Sequence, residues 1–315
     1  MNISIIIVTK NRANVLRNCL SLLVSQVSNN DEIIVVDNNS TDGTKAVVKA
    51  FMRNYPVQYV IEKRVGASVS RNTGFSMATK EGVAFIDDDS FVADSWLAHI
   101  KRTLTNYTFH RGMVVFQGKM IQRYANAGVY EKLRRMEFYN NMASLGMHNH
   151  KKLYTNIATL VVANIFARRN ILTRVRGPFN AEEFPFIGED VDISMRLIQQ
   201  GIQLRYVPDV SVVHAKSQMN LRSTCRASFL YGRSKALHEK RYLHDAGLMF
   251  QTYMNSLAIP HHTDKPASYF GLDHSLSTLL QTRWYYWWVS LNYRMGYFIY
   301  RYIPSRMVDT FVIGT

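Results

Sequence analysis

Residues 83–89 read Val-Ala-Phe-Ile-Asp-Asp-Asp, an apolar run that stops at three adjacent carboxylates. Working back toward the N-terminus, Ile3–Val8 is a continuous β-branched run followed by Thr9, and Glu32–Val36 is a second, ending at Asp37. Runs this rich in β-branched apolar residues fit strands buried on both faces of a parallel sheet. Between them, Ala13–Val24, Thr44–Met52 and Ser68–Ala78 carry apolar residues at helical spacing, and Val57–Ile61 is a short strand. The βαβαβαβ order predicts an α/β domain on an open, mostly parallel sheet with right-handed crossovers. Ligands of such sheets bind beyond the carboxyl ends of the strands. Thr9, Asp37 and Asp87 each follow such an end, so three strands deliver ligand-type side chains to one edge.

The triplet Asp87-Asp88-Asp89 sets the chemistry of that edge. Adjacent carboxylates repel one another, and a buried cluster needs a compensating cation. A hard divalent ion, Mg²⁺ or Mn²⁺, takes oxygen ligands and bridges substrate phosphates; a solvated acidic turn is the bland alternative. Further along, residues 111–125 read as a strand, 156–172 as strand then helix around Asn164, and Arg205–Val207 and Val210–Val213 as two strands. Gly188-Glu189-Asp190 opens a helix through Leu197. Acidic side chains there are favoured by the helix dipole whatever their function.

Composition narrows the class. The 315 residues suffice for a sizeable core, and 38 Lys+Arg against 23 Asp+Glu give a net charge of +15. Such an excess points to an anionic partner: nucleotide phosphates, nucleic acid or an acidic membrane surface. A basic nucleic-acid- or membrane-binding module would explain the charge but not carboxylates at successive strand ends, so no nucleic-acid partner is expected. The two cysteines, Cys19 and Cys225, form no CxxC pair, which disfavours a disulfide framework or structural zinc and fits a reducing cytosol. The first apolar run is too short for a signal segment, and no run reaches the ~18–20 apolar residues of a spanning helix. The expected location is cytoplasmic, with peripheral contact to the inner face of the membrane. A nicotinamide dehydrogenase would need a glycine-rich turn where this chain has Thr9-Lys10-Asn11-Arg12, and a Walker-type loop is absent. The nearest rival enzyme, a sugar-phosphate nucleotidyltransferase, should carry a glycine-rich basic loop near the N-terminus.

The segments SIIIVTKNR, EIIVVDNNSTDGT, VGASVSRNTGF, FIDDDS, GEDVDISMRL and YVPDVSVVHAKS occur in this order. Together they resemble the family 2 glycosyltransferases, inverting enzymes with the GT-A fold, over about residues 1–235. The resemblance implies a Rossmann-like catalytic domain over residues 1–215, with a nucleotide-sugar half (1–110) and an acceptor half (111–215). It implies a metal-dependent transfer from a UDP- or dTDP-sugar to a glycan or lipid-linked acceptor, in cell-surface polysaccharide synthesis. Thr9 and Asp37 would hold the base, the Asp37 carboxylate accepting from the N3–H of uracil or thymine, and Arg71 would lie over the nucleotide. Cytosine lacks that N3–H, and an unmet buried acceptor costs ~1–3 kcal/mol. Asp87 and Asp88 would face the nucleotide, Asp87 near the ribose, with Asp89 and His214 on the metal. Asp190 would be the general base and Glu189 an orienting residue, although sequence leaves open which of the two takes the proton. Where many relatives have Gly-Gly-Phe-Asp-Glu, this chain has Gly177-Pro178-Phe179-Asn180-Ala181-Glu182, so the acceptor does not carry over.

From residue 216 to 315 the chain reads as a basic, aromatic helical extension that matches no named family. Arg222, Arg226 and Arg233 fall close to one helical stripe, available to a diphosphate or an anionic lipid, or a solvated basic face. Trp284 to Tyr302 is dense in Trp and Tyr with Arg294 and Arg301, the composition of an interfacial helix. A packing or homodimerisation helix is the competing account. His148, His150, His261 and His262 have no supporting partners and read as loop residues.

Overall fold

The computed structural model describes residues 1–107, 113–124, 155–157, 159–175, 177–216, 221–242 and 276–302. The four loop histidines named above lie outside them. The chain divides into two compact units, Met1–Arg123 with Asn149–Ala215, and Tyr124–His148 with Lys216–Thr315.

The first unit begins β1 (Ile3–Thr9), α1 (Ala13–Val24), β2 (Glu32–Asp37), α2 (Thr44–Met52), β3 (Val57–Ile61), α3 (Ala67–Met77), β4 (Gly82–Asp87). It continues with β5 (Ser90–Val92), α4 (Trp96–Asn106), β6 (Val114–Tyr124), β7 (Thr155–Asn156), β8 (Asn164–Arg168), α5 (Arg169–Leu172), α6 (Glu189–Gln199) and β9 (Gln203–Lys216). The strands form one sheet in the order β3-β2-β1-β4-β8-β6-β9-β5, with β7 paired to β9. The half from β3 to β4 is parallel, as the βα alternation predicts, and β8 turns it antiparallel.

The side-chain alternation of the strands explains the layering. Ile3, Ile5, Ile7, Ile33 and Val35 enter one core with Leu16, Leu20 and Leu23 of α1 and Trp96 and Ile100 of α4. Each such side chain contributes roughly 1.5–3 kcal/mol by leaving water. On the opposite face, Ile6 and Val36 meet α3 where it carries Gly74; a Cβ there would stand 2.5 Å from Ile6 Cγ2 and 3.0 Å from Val36 Cγ2. In the antiparallel half, buried Asn164 donates to the carbonyls of Lys119 and Val210 and accepts from Trp96 Nε1, satisfying its amide across three elements.

The two strands expected at 205–207 and 210–213 are one, β9. Pro208 lies inside it and costs only one backbone donor in a chain that stays extended. Before the proline Arg205 and Tyr206 pair with β7, and after it Val212–His214 pair with β5.

Of the second unit, two helices are described, α7 (Leu221–Tyr242) and α8 (Leu276–Tyr302). They cross at glycines: a Cβ on Gly232 would run into the carbonyl oxygen of Tyr293, and one on Gly296 into that of Phe229. Ala236 and Tyr300 are buried with Phe229, Tyr297 and Ile299. The Arg222, Arg226 and Arg233 stripe does not stay one surface. Arg222 and Arg226 are exposed, but Arg233 is buried, its guanidinium 4.8 Å over the Tyr300 ring. The stripe runs under α8 at its third turn, which residue spacing within α7 alone does not reveal. No described helix is long and apolar enough to cross a membrane.

Candidate active site

The carboxyl edge of the sheet is assembled from turns that lock one another. After β1 and β2 the chain turns through Asn11 and Asn39, with φ of 52° and 60°, a left-handed conformation that Asn adopts more readily than most residues. The Asn11 N–H donates to Ser40 Oγ, the Thr41 N–H to Asn11 Oδ1 and the Ala13 N–H to Asp42 Oδ2. The parallel register sets Thr9 beside Asp37. Asp37 is buried, one oxygen accepting from the Ser40 N–H at 2.8 Å and the other from Tyr59 O–H at 2.6 Å. Burial and this carboxylate push the Tyr59 phenol up, so it stays a donor. Each Asp37 oxygen keeps a second lone pair. The Thr9 hydroxyl donates to Asp88 at 2.7 Å.

The next strand end carries the triplet. Arg12 grips it from the turn after β1, reaching Asp88 Oδ1 at 2.6 Å and Asp89 Oδ2 at 2.8 Å. His214 arrives opposite Ser90 through the β5–β9 register. Its Nε2 lies 2.7 Å from Asp89 Oδ1 and 3.5 Å from Asp87 Oδ2. One ligand atom from each of Asp87, Asp89 and His214 falls within 4.8 Å of the others. Asp89 Oδ1 is buried, with His214 Nε2 its close neighbour at 2.7 Å. With its proton displaced, the imidazole would offer a lone pair beside those of the two carboxylates, a donor set that a shared cation satisfies. The residues therefore fit a divalent ion, with two carboxylates and one imidazole as ligands.

Arg71 joins this group to the second acidic motif. It is buried on α3, one nitrogen 3.0 Å from Asp87 Oδ1 and the other 2.9 Å from Glu189 Oε1, and its guanidinium lies over Phe179. It bridges two carboxylates from different motifs. Phe179 is held by a reciprocal amide pair with Asn72, the residue after Arg71. Glu189 and Asp190 open α6 behind Gly188, whose φ of 97° is a left-handed turn that glycine tolerates. The Asp190 carboxylate accepts from the Val191 N–H at 2.9 Å. Asp192 is tied to Arg196, which also reaches the carbonyls of Gly177 and Pro178 and fixes that loop to α6.

Five carboxyls face two guanidinia and one imidazole, and the protonation balance shows the shortfall. Burial pushes Asp88 up to about 7, although Arg12 and Thr9 oppose it. Burial likewise raises Glu189 to about 7 against the pull of Arg71, and Asp190 to about 6. Asp87 is also buried, but His214 and Arg71 outweigh that and hold it low. His214 is pushed up to about 9, since Asp87 and Asp89 outweigh its desolvation.

Thr9, Asp37 and Asp87, expected at one edge, lie there; Arg71, Asp88, Asp89, Glu189 and His214 connect to them through the bonds above, and Asp190 follows Glu189 on α6, all in the first unit. Arg222, Arg226 and Arg233 lie in the second unit. Sequence reasoning assigned nothing to Arg12 and Tyr59. For Arg12 a signal existed: a basic residue directly after one strand end, where a neighbouring strand end carries three acids. Tyr59 gave none, because its partner is a strand register away.

The profile of the family described as Glycosyl transferase family 2 matches residues 4–175. Glycosyltransferase AglE of Haloferax volcanii is 29% identical over 216 residues, covering 67% of this chain and 66% of that protein. Matches to two further curated relatives cover 20% and 26% of their lengths, so the chain spans two thirds or less of these proteins. Among solved structures, mannosyltransferase PcManGT from Pyrobaculum calidifontis in complex with GDP-Man and Mn2+ superposes with a TM-score of 0.61 at 19% identity, covering 95% of this chain and 86% of that one. S. aureus TarS 1–349 in complex with UDP-GlcNAc gives 0.59 at 18%, covering 96% and 92%. At such identities the likeness speaks for the fold, the open mixed sheet of GT-A proteins. A profile match across more than half of the chain, on a scaffold of that architecture, makes this protein a member of glycosyl transferase family 2.

Proposed function

We propose that this chain transfers a sugar from a UDP- or dTDP-sugar to a hydroxyl of a glycan or lipid-linked acceptor, by direct displacement with inversion at the sugar C1. The observation that carries the reading is the Arg71 bridge, which couples the cation-ready group Asp87, Asp89 and His214 to the acid pair on α6. Family membership and the nucleotide-sugar complexes of structural neighbours support it.

Asp37 has a spare lone pair on each oxygen and reads the N3–H of uracil or thymine, with Tyr59 and the Ser40 N–H fixing its orientation. Asp87, Asp89 and His214 hold Mn²⁺ or Mg²⁺, which when bound neutralises the charge developing on the departing diphosphate. Arg12 balances Asp88, the carboxyl of the triplet outside that ligand set. Asp190 takes the acceptor proton. One of its oxygens is oriented by the Val191 N–H, and burial lifts it to about 6, a stronger base than a free carboxylate yet ionised at neutral pH. Glu189 is engaged by Arg71 and orients rather than abstracts.

The test screens a panel of nucleotide sugars for metal-dependent hydrolysis, then follows transfer by NMR of the anomeric centre. Turnover of UDP- or dTDP-sugars that EDTA abolishes and Mn²⁺ or Mg²⁺ restores is the expected result. A retained anomeric configuration would remove Asp190 from the role of base.

A further inference from the structure

We infer that the outward face of α8 is a docking surface for an anionic lipid membrane, carried by the second unit and independent of the catalytic reading. Three observations point there. The first is geometric. At 100° per residue, Trp284, Trp287, Leu291, Met295, Phe298 and Tyr302 fall on one narrow arc, and all six are exposed. The buried positions Gly296 and Tyr300, which seat α8 on α7, lie on the opposite side of the helix. The helix thus meets its intramolecular partner with one face and presents an unbroken apolar stripe with the other.

The second observation is charge. α7 and α8 together carry nine Lys or Arg and a single acid, Glu239. That acid is turned inward, accepting from Tyr297 O–H at 2.6 Å with Arg301 at 3.8 Å. On α8, Arg283, Arg294 and Arg301 share a stripe along one edge of the apolar arc. An apolar arc edged only by positive charge complements an anionic headgroup layer with acyl chains beneath it. A second copy of the same helix would instead bring arginines against arginines.

The third observation is the kind of apolar residue. The arc begins with Trp284 and Trp287, with Trp288 stacked edge-on to Trp287 at 4.9 Å, and ends with Tyr302. Indole and phenol rings settle at the level of lipid headgroups, where one end is apolar and the other wet. The helix is not apolar enough to cross a bilayer, so it lies in the interface.

The experiment uses the full chain in co-sedimentation with vesicles of phosphatidylcholine alone and of phosphatidylcholine with phosphatidylglycerol, while Trp emission is followed. Binding to the phosphatidylglycerol vesicles, a blue shift, and release as salt rises are expected. The double variant Trp287→Ser/Phe298→Ser should weaken vesicle binding at least ~10-fold through lost apolar burial. Arg283→Gln/Arg294→Gln should abolish the preference for phosphatidylglycerol. Donor-sugar hydrolysis should be unchanged in both variants, which separates this surface from the proposed chemistry. No sedimentation with either vesicle at low salt overturns the inference. So does a concentration-dependent dimer in light scattering that Trp287→Ser/Phe298→Ser dissolves, since the face then belongs to a second copy.

Discussion

Both edges of the same sheet bury carboxylates, and Asp88, Glu189 and Asp190 at one shift in the opposite sense to Asp31 and Glu32 at the other. At the amino edge, Asp31 accepts four hydrogen bonds: from the Ile3 N–H, the Ser28 N–H and hydroxyl, and Lys101. Glu32 also accepts four, from Ser4, Gln58 and the N–H and hydroxyl of Thr79. Burial raises both, yet these donors prevail and hold both below their ordinary values. At the carboxyl edge, Asp190 accepts from the Val191 N–H and Glu189 from Arg71, and burial lifts Asp88 and Glu189 to about 7 and Asp190 to about 6. Burial is common to both edges; Asp31 and Glu32 each meet it with four donors, and Glu189 and Asp190 with fewer. A fully bonded buried carboxylate is part of the scaffold, whereas an under-bonded one remains able to take a proton, a cation or a substrate.

The largest test of that contrast replaces one acid at each edge with its amide. Asp190→Asn should lower turnover by at least ~10²-fold, with donor binding and melting temperature little changed. Glu32→Gln should leave the turnover of folded protein intact. Equal losses of turnover in the two variants would break the comparison.

Acid should separate the edges as well. A base must be deprotonated, and Asp190 sits at about 6, so kcat/KM should fall tenfold per pH unit below that value and level off above it. The lowered carboxyls Asp31 and Glu32 work in the other sense. Their contribution is present above the unfolded values of about 4 and is lost as pH falls through their lower folded values. Thermal melts should therefore decline only below about pH 4, where turnover is already gone.

A smaller effect concerns stability alone. Glu32→Gln puts an amide N–H₂ among donors, leaving buried groups unmet at a cost of ~1–3 kcal/mol, readable as a reduced denaturation midpoint. A midpoint unchanged in Glu32→Gln would mean that the four donors do little for the fold.

The smallest effect sharpens the carboxyl edge itself. Tyr59→Phe removes the hydroxyl that fixes Asp37. Titration calorimetry should show wild-type protein binding UDP or dTDP ahead of CDP and ADP, with that preference reduced by about 3–10-fold in the variant, the worth of one hydrogen bond. Equal binding of all four by the wild type would remove Asp37 from the role of base reader.

Much of the parallel half was legible because its signals are local. Runs such as Ile3–Val8 declare a doubly buried strand, and Ala13–Val24 and Thr44–Met52 coincide with α1 and α2. The antiparallel half was less so, since β9 takes its partners from β7 on one side of Pro208 and β5 on the other, and partner choice leaves no mark on the strand itself. The same limit governs the site. Asp87–Asp89 announce a charge that something must balance, but that Arg12 and Arg71 begin to balance it depends on contacts 76 and 118 residues apart. Arg233 illustrates the reverse error, a helical stripe whose far end is covered by α8.

Gly74 sets the depth of this site from outside it. With a hydrogen where other residues carry a methyl, α3 settles onto Ile6 and Val36. Arg71, one turn earlier, must span from Asp87 to Glu189 with bonds of 3.0 and 2.9 Å and has no slack to spend. An alanine at 74 would act as a shim, lifting the helix off the sheet and withdrawing the guanidinium from both carboxylates at once. The reach of this buried guanidinium is thus gauged by an atom that is missing from a residue touching none of the chemistry.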